Sequence, residues 1–187
     1  GEITKLGLYG GTFDPIHNGH LRVVTELLSR KIVDRILLIP AGEPRLRESA
    51  PVADGMTRLA MCKLAIGDLP SGIKERTDVS DIEINRAGPT YAIDTVVELA
   101  KSGDELFWII GSDAYSHIDK WHRSDELKDL VNFIVIDRPS DEENSVDGID
   151  IGALDISATK VRQDREIHGV SPSVRSFILE RKLYASK

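Results

Sequence analysis

Apolar positions fall in short continuous runs separated by longer stretches of helical spacing. Residues 6–9, 35–40, 106–110 and 132–136 are the continuous runs, the pattern of strands buried on both faces of a parallel sheet. Between them the period lengthens. Leu21, Val24 and Leu28 with Val23 and Leu27, then Met56, Leu59, Cys62 and Ile66, then Ile93, Val96, Val97 and Ala100, and finally residues 174–183 each predict an amphipathic helix. Asp54, Thr90 and Ser157 are placed to cap three of the helices. Residues 78–85 alternate loosely and predict a strand at the sheet edge, and residues 149–156 predict a return to the sheet. Strands alternating with helices imply the α/β class: a Rossmann-like three-layer sandwich with a mostly parallel sheet of about five or six strands. No repeat, low-complexity segment or linker divides residues 1–187, so one domain is expected.

Composition narrows the classes. The 187 residues are 41% hydrophobic and 29% charged, which suits a globular chain with a sizeable core. The net charge of -7 and the lack of a large Lys/Arg cluster argue against nucleic acid as the partner. No run is apolar enough to span a bilayer and no signal peptide is visible, so no membrane partner is expected. A lone cysteine, Cys62, excludes an intramolecular disulfide and fits a reducing, cytoplasmic setting. Nothing fixes the oligomeric state, and a homo-oligomer stays open. The acidic residues among 140–150 lack a metal-ligand spacing and read as a solvated loop.

The chemistry concentrates where the first strand meets the first helix, in Gly10-Gly11-Thr12-Phe13-Asp14-Pro15-Ile16-His17-Asn18-Gly19-His20. An open α/β sheet binds ligands beyond the carboxyl ends of its strands. The glycines let backbone N–H groups approach a ligand. His20 falls near the first turn of a helix, where free N–H groups and the dipole favour anions, and two imidazoles there can converge on one anionic group. A second polar stretch, Ile156-Ser157-Ala158-Thr159-Lys160-Val161-Arg162, combines a capped helix start with Thr159 and Arg162 on one face. Hydroxyls, backbone donors and a guanidinium together make a polyphosphate seat. Gly111-Ser112-Asp113 follows a strand end, where an acid can accept ribose hydroxyls or Ser112 or Asp113 can cap a helix. Trp121 stands among charges, suited to stacking on a base or pyridine or to packing on a helix. Arg45 and Arg47 lie in a loop beyond a strand end and either meet phosphate or solvent. His117 and His168 have no evident partners and read as surface residues.

These stretches together resemble the bacterial nicotinate mononucleotide adenylyltransferases, within the nucleotidylyltransferases that share an H-x-G-H motif. The likeness covers nearly the whole chain: residues 10–21, Gly88-Pro89-Thr90-Tyr91 with Thr95, residues 109–113, Trp121, Arg138-Pro139 and residues 156–162. It implies adenylyl transfer from ATP to nicotinate mononucleotide, giving nicotinate adenine dinucleotide and pyrophosphate in NAD biosynthesis, with Mg²⁺ carried by phosphates and water rather than by protein ligands. It implies His17, His20 and Arg162 as catalytic residues. ATP would meet Gly10, Gly11, Thr12, Phe13, Gly19, Gly111, Asp113, Ile156, Ser157, Thr159 and Arg162. The mononucleotide would meet Thr12, Thr90, Tyr91, Ala92, Trp121 and Arg138, with Arg45 and Arg47 as weaker candidates. The chain departs from the family at Glu43-Pro44-Arg45-Leu46-Arg47, where Pro-Pro-His-Lys is frequent, and at Ala92, where threonine is common; alanine keeps the backbone N–H. A related transferase with another acceptor, such as phosphopantetheine, and a non-catalytic nucleotide-binding module are the competing readings.

Overall fold

The computed structural model describes residues 3–42, 51–86, 91–138 and 148–186. Six strands form one sheet: β1 (Lys5–Gly11), β2 (Arg35–Pro40), β3 (Thr77–Val79), β4 (Glu105–Gly111), β5 (Asn132–Ile136) and β6 (Gly148–Ile149). Their order is β3-β2-β1-β4-β5-β6, and every pairing is parallel. The chain starts mid-sheet, winds outward to β3, returns to β4 beside β1 and winds out to the other edge. The winding reverses between β1 and β4, and a doubly wound sheet opens its ligand crevice at that point.

The helices are α1 (Asn18–Ser29), α2 (Gly55–Gly67), α3 (Ser71–Lys74), α4 (Ala92–Leu99), α5 (Ser112–Tyr115), α6 (Ser124–Leu130), α7 (Ala158–Gln163) and α8 (Pro172–Arg181). Successive strand residues point to opposite faces, so each strand feeds two cores. Leu38, Ile109 and Ile134 pack with Leu27 of α1, Met61 of α2 and Ile178 of α8. Their neighbours Ile39, Trp108 and Val135 pack on the other face with Ile93 and Val96 of α4 and Leu127 of α6. This is the three-layer sandwich that the runs imply. Burying each such side chain contributes roughly 1.5–3 kcal/mol, more than any one helix cap.

Several local expectations are corrected. The strand expected over 78–85 is the edge strand β3 alone. The Ile82 N–H turns back onto the Ser80 hydroxyl at 3.2 Å and the Asn85 N–H onto the Asp81 carbonyl at 2.9 Å, closing a turn instead of a ladder. The sheet return ends after Gly148–Ile149. Asp54 caps α2 as expected, accepting the Thr57 N–H at 2.7 Å. On α2, however, Met56 is exposed and Met61 is buried, because Arg58, Leu59, Cys62 and Ala65 set the inward face. Val97 is likewise exposed, while Ile93, Thr95 and Val96 point inward. The N-cap of α4 is Tyr91, whose side chain makes no capping hydrogen bond, and Thr90 lies outside the described residues. The N-cap of α5 is Gly111, so neither Ser112 nor Asp113 caps it. His168 is exposed but partnered, with Nδ1 3.0 Å from Asp164 and Nε2 3.4 Å from Glu166. Among the described residues no helix is long and apolar enough to cross a membrane.

Candidate active site

The turn between β1 and α1 builds its geometry from its own residues. His17 is the N-cap of α1 and His20 is the third helical residue. The Gly19 N–H donates to His17 Nδ1 at 3.0 Å, and the His17 N–H donates to His20 Nδ1 at 3.0 Å. Two free N–H groups of the helix start are thus satisfied by imidazoles rather than by the usual hydroxyl or carboxylate. A nitrogen that accepts a hydrogen bond cannot carry the proton, so each neutral ring bears it on Nε2. The rings stack with centroids 3.8 Å apart. Burial holds His17 down to about 4. Burial, and then the charge that His17 would carry, hold His20 well below the ordinary histidine range. At neutral pH both are uncharged donors.

Gly19 has a steric reason. A Cβ there would stand 2.7 Å from His17 Cε1 and 2.9 Å from its Nδ1, so only glycine lets its N–H reach that ring. Phe13 is buried, with its ring 4.8 Å from that of His20 and 5.6 Å from that of Tyr9. Its side chain therefore supports His20 from below, and only its backbone can face a ligand. Its φ of +52° is in the left-handed region, a strain characteristic of sites whose surroundings hold them in place.

Two cavities open side by side at the carboxyl ends of β1 and β4, sharing Tyr9, Ile109, Ile110 and Gly111. The polar one, of about 350 Å³, is lined by His17, Gly19, His20, Arg138, Ile156 and Ser157, among others. Ser157 caps α7, its hydroxyl accepting the Lys160 N–H at 3.2 Å. Thr159 and Arg162 follow on that helix. Arg162 Nη2 donates to the Thr159 hydroxyl at 3.3 Å, and Nη1 to the Asp14 carbonyl at 2.9 Å, which ties α7 to the H-x-G-H turn. Arg138 lines this cavity and is ion-paired with Asp113 at 2.7 Å.

The aromatic cavity, of about 470 Å³, is lined by Gly10, Gly11, Tyr91, Ala92, Trp108 and Trp121, with Glu83, Lys120 and His122 also on its wall. Trp121 meets Trp108 edge to face at 6.2 Å, and His122 stacks on Tyr91 at 4.2 Å. A Cβ on Gly10 would come within 3.1 Å of the Trp108 ring, so that glycine lets β1 lie on the cavity floor. Thr95 is fully buried; its hydroxyl donates to Glu83 at 2.9 Å and accepts from Arg86 at 3.1 Å. Arg45, Arg47 and Thr90 lie outside the described residues.

Three residues that sequence reasoning passed over support the turn. Arg58, only 1% exposed, donates to the carbonyls of Ala53 (3.0 Å), Thr12 (2.9 Å) and Ala41 (2.7 Å). Its place on the inward face with Cys62 and Ala65 was the available signal, since a buried arginine needs dedicated acceptors. Asp14 and Tyr184 bond to each other across 170 positions, which no spacing reveals. Among the described residues no group of three or more His, Cys, Asp or Glu is gathered to hold a metal ion.

The arrangement is thus a cavity carrying two neutral imidazoles beside a ring-lined one. Residues 8–164 match the family model described as Cytidylyltransferase-like. The chain is 37% identical over 193 residues to the probable nicotinate-nucleotide adenylyltransferase of Shouchella clausii, covering 97% of each. It is 33% identical over 194 residues to the nicotinate-nucleotide adenylyltransferase of Bacillus subtilis, covering 98% of this chain and all of that one. The solved nicotinic acid mononucleotide adenylyltransferase of Plasmodium falciparum complexed with NaAD has the same fold, with a TM-score of 0.80 at 20% identity over 97% of each chain. The chain belongs to the cytidylyltransferase-like family and, within it, to the nicotinate-nucleotide adenylyltransferases.

Proposed function

We propose that this chain, acting as one domain, transfers the adenylyl group of ATP to nicotinate mononucleotide. The observation that carries the reading is the pair of cavities meeting at the carboxyl ends of β1 and β4, a polar one lined by the H-x-G-H histidines and an aromatic one. A phosphate oxygen of the mononucleotide attacks the α-phosphorus of ATP in line, the bond to the β-phosphate oxygen breaks, and pyrophosphate leaves. The attacking phosphate is already ionised at neutral pH, so no general base is needed. Catalysis is alignment plus stabilisation of charge on the transferring and leaving groups.

His17 and His20 donate Nε2–H to oxygens around the α-phosphorus. As neutral donors fixed by backbone bonds, they need no rearrangement when charge develops. Gly10, Gly11, Thr12, Gly19 and the Phe13 backbone approach the ATP phosphates. Ile156, Ser157, Thr159 and Arg162 receive the leaving pyrophosphate at the α7 terminus. Gly111 and Asp113 hold the adenosine ribose, with Arg138 orienting Asp113. Trp121 stacks on the pyridine, and Tyr91 and the Ala92 N–H define its carboxylate end. Mg²⁺ would be carried by the phosphates and water rather than by protein side chains, and would lower the charge on the polyphosphate. ATP as donor and a buried single thiol suit a cytoplasmic enzyme.

The test is pyrophosphate release with ATP and Mg²⁺, offering nicotinate mononucleotide, nicotinamide mononucleotide and phosphopantetheine in parallel. Rapid release with the first alone is the expected result. Equal release with both pyridine nucleotides keeps the reaction and removes the acid preference. Release with phosphopantetheine alone overturns the use made of Trp121 and Tyr91, and ATP binding without release in any arm identifies a binding module.

A further inference from the structure

Asp14 belongs to no strand or helix, yet three other segments meet on it. Its carboxylate accepts the Val52 N–H at Oδ2 (2.8 Å), and at Oδ1 both the Ala53 N–H (3.1 Å) and the Tyr184 hydroxyl (2.7 Å). Its main-chain carbonyl accepts Arg162 Nη1 at 2.9 Å. Asp14 is 3% exposed and Tyr184 is 7% exposed, so the cluster is shielded from water and the carboxylate depends on these donors. Tyr184 opens a terminal 3₁₀ turn, Tyr184–Ser186, at φ +57°. A bulky residue adopts that left-handed conformation only where its surroundings hold it. Burial, and then the bond to Asp14, raise the hydroxyl's pKa, so it remains a donor.

The geometry has a direction. The tyrosine hydroxyl holds the side chain of Asp14, and the main chain of the same residue holds one arm of Arg162. Arg162 has many rotamers, and a guanidinium already fixed on Asp14 and Thr159 loses less freedom when it takes up an anion. We infer that Tyr184 is a positioning residue for adenylyl transfer, fixing through Asp14 the carbonyl that orients the Arg162 guanidinium beside the H-x-G-H turn. The inference rests on the proposed role of Arg162 toward pyrophosphate.

Tyr184→Phe removes the hydroxyl and keeps the ring, while Asp14 Oδ1 retains the Ala53 N–H. Turnover is read from pyrophosphate release, with added pyrophosphate as product inhibitor, below the melting midpoint of every variant. The expected result is a kcat about tenfold lower, as for a displaced contact group. Pyrophosphate inhibition weakens by a similar factor, and the KM for nicotinate mononucleotide does not move. In an Arg162→Lys background, Tyr184→Phe adds no further loss, because the two act through one contact. Ser186→Ala serves as control: it removes bonds from the same turn to the Ile178 and Leu183 carbonyls, without touching Asp14, and keeps full turnover. Normal kcat and pyrophosphate inhibition in Tyr184→Phe overturn the inference. So do losses that multiply in the double variant, or an equal loss in Ser186→Ala, which would mean that the turn matters only for stability. If Arg162→Lys alone keeps full turnover, the role of Arg162 falls and the inference with it. If Arg162→Lys is impaired and Tyr184→Phe is normal, only the inference falls.

Discussion

The cavity beside α1 is shaped by backbone and hydrogen bonds, and the cavity beside Trp121 is shaped by rings. In the first, each imidazole is held at a stated atom, His17 by Gly19 and His20 by His17, and Arg162 on the neighbouring α7 is held by Asp14. In the second, Trp121 rests edge-on against Trp108 and His122 lies on Tyr91, contacts that tolerate small slides. The difference has a chemical meaning. Charge that develops in a transition state is stabilised only by donors already in place. A flat heterocycle gains most of its binding by stacking, in ground state and transition state alike. Defects on the polar side should therefore appear in kcat, and defects on the aromatic side in KM.

The largest expected effect is that of His20→Ala. It removes the donor proposed for the transferring group and the acceptor of the His17 N–H together, so kcat should fall by about 10²–10³-fold, with little change in the KM for the mononucleotide. Near-normal turnover would break the comparison at its stronger half. Trp121→Ala tests the other half: losing one stacked ring should raise the KM for nicotinate mononucleotide about tenfold and leave kcat within a few-fold. A change confined to the KM for ATP would mean that the two cavities have been assigned the wrong way round.

The same contrast governs what the sequence made legible. The polar cavity draws much of its lining from two short stretches: a glycine and two histidines within residues 17–20, and a capped helix start at Ser157. Local chemistry sets those positions, so local reading finds them. The doubly wound sheet was legible for a similar reason, since strands buried on both faces read as unbroken apolar runs. What escaped depends on tertiary approach. His122 reaches Tyr91 from another segment, Glu83 turns inward onto Thr95, and Tyr184 crosses the whole chain to Asp14. Arg58 was within reach, for an arginine on a helix face of Leu59, Cys62 and Ala65 is buried or misplaced. The Met56 and Met61 exchange shows the limit of periodicity: a helix of nearly all-round apolar character names no unique inward face until its arginine does.

A smaller effect separates the two roles of the turn. Gly19→Ala places a methyl group against His17, whose ring must swing and give up the Gly19 N–H. The expected outcome is a kcat about fivefold lower and a loss of stability of about 1 kcal/mol, the ordinary cost of an N-cap. A thermal melt and a turnover assay on one preparation read both. Unchanged kcat beside the lost stability would reduce His17 to a capping residue.

The gentlest perturbation is pH. In the unfolded chain both histidines take up protons near 6.5, whereas in the fold His17 resists until about 4 and His20 is also lowered. Between those values the unfolded state binds more protons, so stability rises with pH and is lost as the solution is acidified below about 6.5. For His17 the loss cannot exceed about 3 kcal/mol, and only part of it develops by pH 5, where carboxylates begin to add their own effects. Urea midpoints between pH 7 and 5 measure it. Pyrophosphate should flatten the slope, because a bound anion favours the imidazolium and lifts the folded-state pKa toward the unfolded one. A His17→Gln, His20→Gln double variant should flatten it without ligand. If that variant kept the wild-type slope, the histidines would not be the buried neutral donors on which the polar cavity depends, and the contrast between the two cavities would lose its electrostatic basis.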